Sequence, residues 1–407
     1  MHRENNILTL LCINISIGKE KIMILIKNAE VYAPKYLGKK DILIEGTKVK
    51  KIADYIEINL PDNLVETIDL SDKILIPGLI DQHVHITGGG GEAGPSSRVP
   101  ESNLRDFISC GVTTVLGLMG TDGISRSLEN LYAKAKALNE DGITCYMSTG
   151  SYSYPSVTLT GSVERDIYLI DLCIGVKIAV SDHRSSNITS EELIRLATEA
   201  RRGGLISGKS GIVTMHMGSG KKRLSPVLAA IKESDVPVKN FIPTHVNMRS
   251  SELLEDCVEF AKIGGTMDFT AGFSAEDNST EADKIFQLLD RGVKDSLITV
   301  SSDAFGSQPR FDEEGKCIGL TYSTSNTLMQ LLNALVSKGM SLEQALKFFT
   351  VNPARVLGLE GIKGTIGETA DADLVVLDRD MRIISVMSKG KIAMADEKVM
   401  MKGKFEL

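Results

Sequence analysis

Four of the six histidines in this chain stand at the ends of predicted β-strands. Two of them form a His-x-His pair, His83 and His85, and alternate residues of a strand point to the same side. His216 and His245 each end a later apolar run, and Asp303 ends another. Imidazole nitrogens and a carboxylate that meet at one point are typical ligands of zinc and similar metals. The ordered set therefore predicts a metallohydrolase.

Each of these signals is weak when taken alone. A single histidine at a strand end is more often a hydrogen-bonded structural residue, and an aspartate after a strand is usually a turn former or a helix N-cap. The metal interpretation depends on the whole set, which recurs at the ends of separate strands. The two other histidines, His2 and His183, fit a role outside the metal site better.

A lysine interrupts one strand that should be buried on both faces. Lys177 lies within the apolar run 172–180, and an unpaired buried ammonium is costly. One interpretation is a lysine that reaches solvent from the end of the strand. The other is a neutral amine that reacts with carbon dioxide to form a carbamate, whose two oxygens bridge two metal ions. The predicted ligands then divide into His83, His85 and Asp303 for one ion and His216 and His245 for the other.

The middle of the chain alternates strand and helix patterns. Apolar runs recur roughly every thirty residues, which is the length of one βα unit. Helical patterns lie between them, such as residues 190–197 with Ser190 as the expected N-cap. We expect an α/β fold in which eight units form a (β/α)₈ TIM barrel over residues 79–355. Its active site lies at the C-terminal ends of the strands, where every proposed ligand falls.

The two ends of the chain differ in sequence pattern from the middle. Residues 23–78 and 356–407 read as short strands and turns, including a hairpin centred on Glu45 and Gly46. These two segments are predicted to build one small β-sandwich. Within residues 1–22, the run 7–15 is apolar and Arg3 precedes it, but Glu4 dilutes the positive charge and no small-x-small cleavage site follows. We expect an extension or a disordered tail there, not a secretion signal.

Composition narrows the class of protein. The 407 residues are 42% hydrophobic and 24% charged, which is typical of a soluble globular protein. The formal net charge of −7 argues against nucleic acid or an anionic membrane as the main partner. The six cysteines are scattered without a C-x-x-C pair, which fits a reducing cytoplasm. No apolar run is long enough to span a membrane.

At these residues the chain resembles the binuclear amidohydrolase superfamily and, within it, the isoaspartyl (β-aspartyl) dipeptidases. The resemblance covers nearly the whole chain from Met23. The superfamily motifs are His-Val-His after Pro-Gly-Leu-Ile-Asp, together with Lys177, His216, His245 and Asp303. Closer markers of the dipeptidases are the segments 88–92 (GGGGE), 120–123 (GTDG), 151–152 (SY), 181–186 (SDHRSS) and 301–309 (SSDAFGSQP).

The resemblance implies hydrolysis of β-aspartyl dipeptides, which releases aspartate and an amino acid. It implies two divalent ions, for which the histidine ligands favour zinc, a metal-bridging hydroxide, and Asp303 as proton acceptor and then donor. It also implies a homo-oligomer. A cyclic-amide hydrolase of the dihydroorotase or hydantoinase type would share the metal ligands. An inactive amidohydrolase-like scaffold is the remote alternative, although such chains typically lose ligands.

The loops distinguish the dipeptide from a flat ring. The resemblance implies that Glu92 meets the substrate ammonium, and that Gly90, Gly91 and Thr121 contact the substrate. Without it, Glu92 would read as a solvated loop acid in a flexible glycine loop.

Two arginines resemble the carboxylate clamps of the family, for which guanidinium is well shaped. These are Arg184 and Arg249, although Met248 separates Arg249 from the His-Val-Asn triplet that the family arginine follows directly. Tyr152 resembles the hydrogen-bond donor to the scissile carbonyl, and Ser307 a substrate-binding hydroxyl. Without the resemblance, the two arginines would be interpreted as partners in surface salt bridges. Tyr152 would be interpreted as a packing residue and Ser307 as an ordinary loop residue.

Overall fold

The computed structural model describes residues 23–61, 63–311 and 317–406. The predicted extension or tail over residues 1–22 lies outside the described residues. Among the described helices, none is both long enough and apolar enough to cross a membrane.

The first part of the chain forms strands of an outer sheet. They are β1 (Met23–Tyr32), β2 (Tyr36–Glu45), β3 (Lys48–Ala53), β4 (Val65–Asp69) and β5 (Ile74–Pro77). β1 pairs with β2 antiparallel and with β4 and β5 in parallel. The turn from β2 to β3 passes through Gly46 with φ of 58°, a left-handed conformation that glycine adopts without strain, and the predicted hairpin is present there.

The next strands form the barrel. They are β6 (Leu79–Val84), β7 (Val112–Gly117), β8 (Thr144–Gly150), β9 (Cys173–Val180), β10 (Ile212–Met217), β11 (Phe241–Thr244), β12 (Met267–Thr270) and β13 (Ile298–Ser301). Within the described part of the chain, these eight strands lie in chain order, and each neighbouring pair is parallel. The circle closes where Val84 bridges Ala304 and the His85 N–H donates to the Ala304 carbonyl at 2.9 Å.

Helices follow the barrel strands and cover them. They are α1 (Leu104–Ile108), α2 (Leu128–Asp141), α3 (Val163–Leu169), α4 (Ser190–Ser207), α5 (Ser225–Glu233), α6 (Ser251–Lys262), α7 (Ala275–Asp290), α8 (Asn326–Ser337), α9 (Leu342–Lys347) and α10 (Val351–Val356). The N-cap of α4 is Thr189, one residue before the expected Ser190. Its hydroxyl accepts from the Glu192 N–H while the Glu192 carboxylate accepts from the Thr189 N–H, so a capping box fixes the start one residue earlier.

After β13 the chain forms a hairpin and then returns to the outer sheet. The hairpin strands are β14 (Gln308–Phe311) and β15 (Cys317–Thr321), and the sheet strands are β16 (Leu374–Leu377), β17 (Ile383–Ser388), β18 (Lys391–Ala395) and β19 (Lys398–Val399). β16 pairs antiparallel with β5, so strands from the two ends of the chain share one sheet. The predicted fold class, a (β/α)₈ TIM barrel with a small β-domain built from both ends, is confirmed, and the strands predicted to form a β-sandwich belong to one hydrogen-bonded sheet.

The two ends of the barrel interior differ in character. At the N-terminal ends of the strands, an apolar layer packs against Ala354 of α10 and closes the interior. It includes Ile80, Ile174, Ile212 and Ile242. The C-terminal ends carry buried polar side chains in place of this layer. The side chains that can take part in chemistry therefore lie at one end of the barrel, as in TIM barrels generally.

Candidate metal centre and active site

The first set of predicted ligands meets where β6 and β13 close the barrel. His85 Nε2 lies 3.1 Å from Asp303 Oδ1, and His83 Nε2 lies 3.5 Å from the same oxygen. One ligand atom from each of these residues lies within 4.8 Å of the others. The structure thus brings His83, His85 and Asp303 together as three ligands of one ion require.

His245 joins this cluster from the end of β11. Its Nδ1 contacts the Thr270 hydroxyl at 2.7 Å, and its Nε2 is buried without a hydrogen-bond partner among the described residues. That nitrogen lies 3.9 Å from Asp303 Oδ2. A buried imidazole nitrogen that faces a carboxylate in this way is suited to bind a metal ion.

His216 lies at the end of β10, next to His245. The two ring centroids are 4.7 Å apart. His216 Nδ1 contacts the Tyr152 hydroxyl at 2.6 Å, and its Nε2 contacts Asp182 Oδ2 at 3.1 Å. The second predicted pair of ligands, His216 and His245, is therefore also brought together.

Lys177 lies at the centre of the same cluster. Its side chain is completely buried, and Nζ lies 2.7 Å from His83 Nε2. Burial lowers the pKa of Lys177 to about 7, because the ammonium form loses its hydration. The alternative interpretation, a lysine that reaches solvent, is wrong. The lowered pKa favours the neutral amine, which is the form that reacts with carbon dioxide.

Burial favours the neutral form of three imidazoles of the cluster, those of His83, His216 and His245. Burial lowers the pKa of His216 to about 3 and those of His83 and His245 well below the ordinary value. Only neutral imidazole can bind a metal. Neutral imidazoles, one carboxylate and a poorly solvated amine form a donor set that fits a pair of divalent ions.

A cavity of about 930 Å³ opens above the cluster. Most of the predicted substrate-binding residues line it, and they are Gly90, Glu92, Tyr152, Arg184, Arg249 and Ser307. Thr121 is connected to the cavity by a hydrogen bond, which its hydroxyl donates to the Glu92 carboxylate at 3.1 Å. Gly91 lies between Gly90 and Glu92 with φ of 99°.

Gly90 shows why this loop needs glycine. Its φ is 80°, and a Cβ atom there would lie 2.3 Å from the Ser97 carbonyl oxygen. No larger residue fits without moving the loop. The tight packing places the Gly90 backbone at the cavity wall and fixes the position of Glu92.

The two arginines have different surroundings. Arg184 donates to Asp182 at 2.9 Å and 3.0 Å and to Glu92 at 3.2 Å. Arg249 donates from Nε to the Met217 carbonyl at 2.9 Å, and among the described residues it forms no ion pair with a carboxylate. Burial lowers the pKa of Arg249. Despite the intervening residue Met248, the structure brings Arg249 to the cavity beside His216.

Buried polar residues around the ligands were not predicted from the sequence. Asp268 on β12 accepts hydrogen bonds from Gln82, Thr244, Thr299 and Ser301 below the site. Gln82 faces the interior because β6 contains a bulge between Asp81 and Val84. The sequence feature that could have identified them is a polar residue that interrupts an apolar strand run, such as Asp268 in Met-Asp-Phe-Thr. His183, by contrast, has an exposed side chain outside the ligand cluster.

The fold and this site define a hydrolytic enzyme of the amidohydrolase type. The model of the amidohydrolase family matches residues 74–393, and the chain belongs to that family. The sequence is 44% identical to that of a beta-aspartyl dipeptidase from the thermophilic, keratin-degrading Fervidobacterium islandicum AW-1, which was solved as a crystal structure in complex with beta-Asp-Leu dipeptide. Its TM-score is 0.89 over 96% of this chain and 100% of that chain.

Two further relatives frame this similarity. A second structure of the Fervidobacterium islandicum AW-1 enzyme is 42% identical, with a TM-score of 0.85 over 94% of this chain and 100% of that chain. A dihydroorotase of Staphylococcus aureus strain Mu50 is 24% identical over 393 residues, which are 88% of this chain and 90% of that protein. The similarity to the dipeptidases is therefore much stronger than that to the dihydroorotase.

Proposed function

We propose that the protein hydrolyses β-aspartyl (isoaspartyl) dipeptides and releases aspartate and an amino acid. The observation that carries this proposal is a cavity that joins the ligand cluster to the Glu92 carboxylate and to two guanidinium groups, those of Arg184 and Arg249. A β-aspartyl dipeptide presents the complementary charges, which are one ammonium and two carboxylates. The beta-Asp-Leu dipeptide bound to the similar Fervidobacterium enzyme supports the same substrate class.

The charged groups would hold the two ends of the substrate. Glu92 would accept from the substrate ammonium, and Arg184 and Arg249 would each donate to a carboxylate. In the structure, Glu92 and Arg184 contact each other at 3.2 Å, so a zwitterionic ligand would replace one ion pair by two. Nearby polar contacts to the substrate are assigned to Gly90, Gly91, Thr121 and Ser307.

Tyr152 is proposed as the donor to the carbonyl oxygen as negative charge develops on it. Burial raises the pKa of this phenol, so the hydroxyl keeps its proton and can donate. In the structure the hydroxyl contacts His216 Nδ1 at 2.6 Å, which places it beside the ligand cluster.

Asp303 is proposed to move the proton. Burial alone would raise the pKa of Asp303, but the hydrogen bond from His85 and nearby positive charge hold it below the ordinary value. The carboxylate is therefore ionised at neutral pH and can accept a proton from the attacking water. It would then deliver that proton to the leaving nitrogen.

We propose that His83, His85 and Asp303 would hold one divalent ion and His216 and His245 a second, zinc by the preference of imidazole, and that Lys177 would serve both as a carbamate. When bound, such ions lower the pKa of water and polarise a carbonyl. The burial of Lys177 and its lowered pKa support the neutral amine that carbamate formation needs.

The remaining proposals concern the setting of the protein. Cys110, Cys145, Cys173 and Cys257 are free and buried, which supports the proposed cytoplasmic location. A homo-oligomer is proposed from the family resemblance, and a small-molecule substrate without nucleic acid or membrane from the net charge of −7.

The test is aspartate release from β-Asp-Leu by zinc-loaded protein, with α-Asp-Leu and dihydroorotate as parallel substrates. We expect cleavage of the β-linked peptide alone, lost on chelation and restored by zinc. Turnover of dihydroorotate alone would favour the cyclic-amide hydrolase, which the dihydroorotase relatives make the second candidate. Inactivity on all substrates by a zinc-loaded, folded protein would favour the scaffold.

The role of Asp303 gives a sharper prediction. Asp303→Asn should lower kcat by about 10²-fold or more, because the amide cannot accept the proton. The thermal unfolding temperature should stay close to that of the wild type. Asp283→Asn on the exposed face of α7 is the control and should keep full activity. Turnover of Asp303→Asn near the wild-type value would refute the assignment.

A further inference from the structure

The cavity contains more positive charge than the proposed substrate groups use. Lys221 and Lys222 line it, and both are exposed. Among the described residues, neither ammonium group forms an ion pair. The next residue, Arg223, turns away and pairs with Asp256 of α6 at 3.0 Å. The two lysines therefore face the cavity as cations without a counter-ion.

The turn that carries these lysines is firmly held. The Gly218 N–H donates to the Val180 carbonyl at 3.1 Å, and the Gly220 N–H donates to the Ser181 carbonyl at 2.6 Å. The Ser181 hydroxyl donates to the Arg223 carbonyl at 2.8 Å. A Cβ atom on Gly220 would lie 2.4 Å from the Ser181 carbonyl oxygen, so the two segments pack backbone against backbone. The lysine turn is thus fixed next to the segment that carries Arg184.

The carboxylates that line the cavity are already engaged. Glu92 pairs with Arg184 at 3.2 Å, and Asp182 contacts both Arg184 and His216. Asp303 contacts His85 at 3.1 Å and belongs to the ligand cluster. None of them pairs with Lys221 or Lys222, so both ammonium groups are available to a carboxylate of the ligand.

The size of the cavity allows such a ligand. Its volume of about 930 Å³ lies near the upper end of the range of about 300–1,000 Å³ that drug-sized ligands occupy. Arg184 and Arg249 account for the two carboxylates of a simple β-aspartyl dipeptide. A third carboxylate would extend from the side chain of the second residue.

We propose that the enzyme prefers β-aspartyl dipeptides whose second residue is acidic, and that Lys221 and Lys222 form the subsite for that side-chain carboxylate. This inference rests on the proposed function and adds the substrate class. Both ammonium groups are exposed, so each contributes modestly and salt weakens it. The two together should favour a glutamate over a glutamine side chain about threefold to tenfold at low ionic strength.

The test compares kcat/KM for β-Asp-Glu and β-Asp-Gln, which differ in charge but hardly in size, with β-Asp-Leu as the reference substrate. The wild type should show the preference for β-Asp-Glu, and 0.5 M sodium chloride should reduce it. In the double variant Lys221→Gln/Lys222→Gln, the ratio of the two values should fall to about one.

The matched control is Lys232→Gln/Lys239→Gln, which changes the net charge equally at exposed positions outside the cavity. It should keep the wild-type ratio. Equal turnover of β-Asp-Glu and β-Asp-Gln by an enzyme that cleaves β-Asp-Leu would overturn this inference alone. A preference that survives in Lys221→Gln/Lys222→Gln would also overturn it. No cleavage of β-Asp-Leu would overturn the proposed function and the subsite with it.

Discussion

At the scale of single residues, Asp182 connects two parts of the site. Its Oδ2 lies 3.1 Å from His216 Nε2, and the same carboxylate accepts two hydrogen bonds from Arg184. The Tyr152 hydroxyl contacts Nδ1 of the same ring at 2.6 Å, and Arg184 Nη2 lies 3.1 Å from Nε2, so neighbouring groups hold both ring nitrogens of His216. A carboxylate behind a ligand histidine fixes both the tautomer and the orientation of the ring.

We therefore expect Asp182→Asn to affect metal binding and substrate binding together. The variant should bind zinc about 10–100-fold more weakly, measured by competition with a chelator. It should also raise KM for β-Asp-Leu, because Arg184 loses its bidentate partner. Asp283→Asn serves as the control again. Unchanged zinc retention in Asp182→Asn would show that this carboxylate does not position His216.

The sequence predicted the residue types at the centre of the site better than their backbone conformations. The strand-end pattern placed His245 and Asp303 together, and the structure does so. Both, however, have a left-handed backbone, with φ of 63° and 52°. Such conformations cost about 1–3 kcal/mol in non-glycine residues and persist only where the surrounding fold imposes them. No local sequence signal encodes that constraint.

At the scale of elements, Asp81 helps to join the first barrel strand to the last. Its carboxylate accepts from the Ser302 N–H at 3.1 Å and from the Ser325 hydroxyl at 2.7 Å. Burial raises the pKa of Asp81 to about 6, although these hydrogen bonds partly oppose the change. The folded protein therefore binds a proton at this position more strongly than the unfolded chain.

The raised pKa of Asp81 predicts how the free energy of unfolding depends on pH. Between about pH 4 and pH 6 the folded state holds more protons at Asp81 than the unfolded state, so this group's contribution to stability falls as pH rises. Relative to Asp81→Asn, the wild type should lose about 3 kcal/mol across that window. Urea unfolding of both metal-free proteins from pH 4 to pH 7.5 measures it. Parallel pH profiles would contradict the assignment.

Periodicity predicted the barrel but not its irregularities. The βα spacing anticipated the eight barrel strands, because each strand must bury an apolar run. The bulge in β6 and the hairpin of β14 and β15 were missed. A bulge adds one residue without a compositional mark, and Pro309 within β14 argues against a strand in any sequence-based reading.

At the scale of the whole molecule, a buried ion network fixes the outer sheet to the barrel. Lys363 Nζ lies 2.5 Å from Asp373 Oδ2 and 2.8 Å from Asp371 Oδ2. The Asp373 carbonyl accepts from the Gly78 N–H at 2.8 Å, at the junction of β5 and β6. The Lys363 side chain is only 3% exposed, and Asp373 depends on it for neutralisation, whereas Asp371 also pairs with Lys48 at 2.5 Å.

Lys363→Met should destabilise the sheet and the barrel together. Removal of one partner from a buried ion network costs about 3–5 kcal/mol, because the other charges stay buried. Calorimetry should show one transition at a lower temperature, with zinc released in the same step. Two separate transitions, with zinc retained through the first, would show that the sheet and the barrel unfold independently.

The sequence predicted that both ends of the chain build one β-domain, because the same pattern of short strands occurs at each end. It did not predict which strands pair. The contact of β5 with β16 joins Ile74–Pro77 to Leu374–Leu377, and the register of such distant strands depends on packing across the whole fold.

That pairing has a consequence for how the protein is made. A ribosome adds about 5–20 residues per second, and the partner of β5 lies roughly 300 residues further along the chain, so β5 waits roughly 15–60 s for it. During that time its edge stays open to other chains. The part of the sheet made before the barrel is thus completed by strands made after it, and β5 gains this partner only after most of the barrel has left the ribosome.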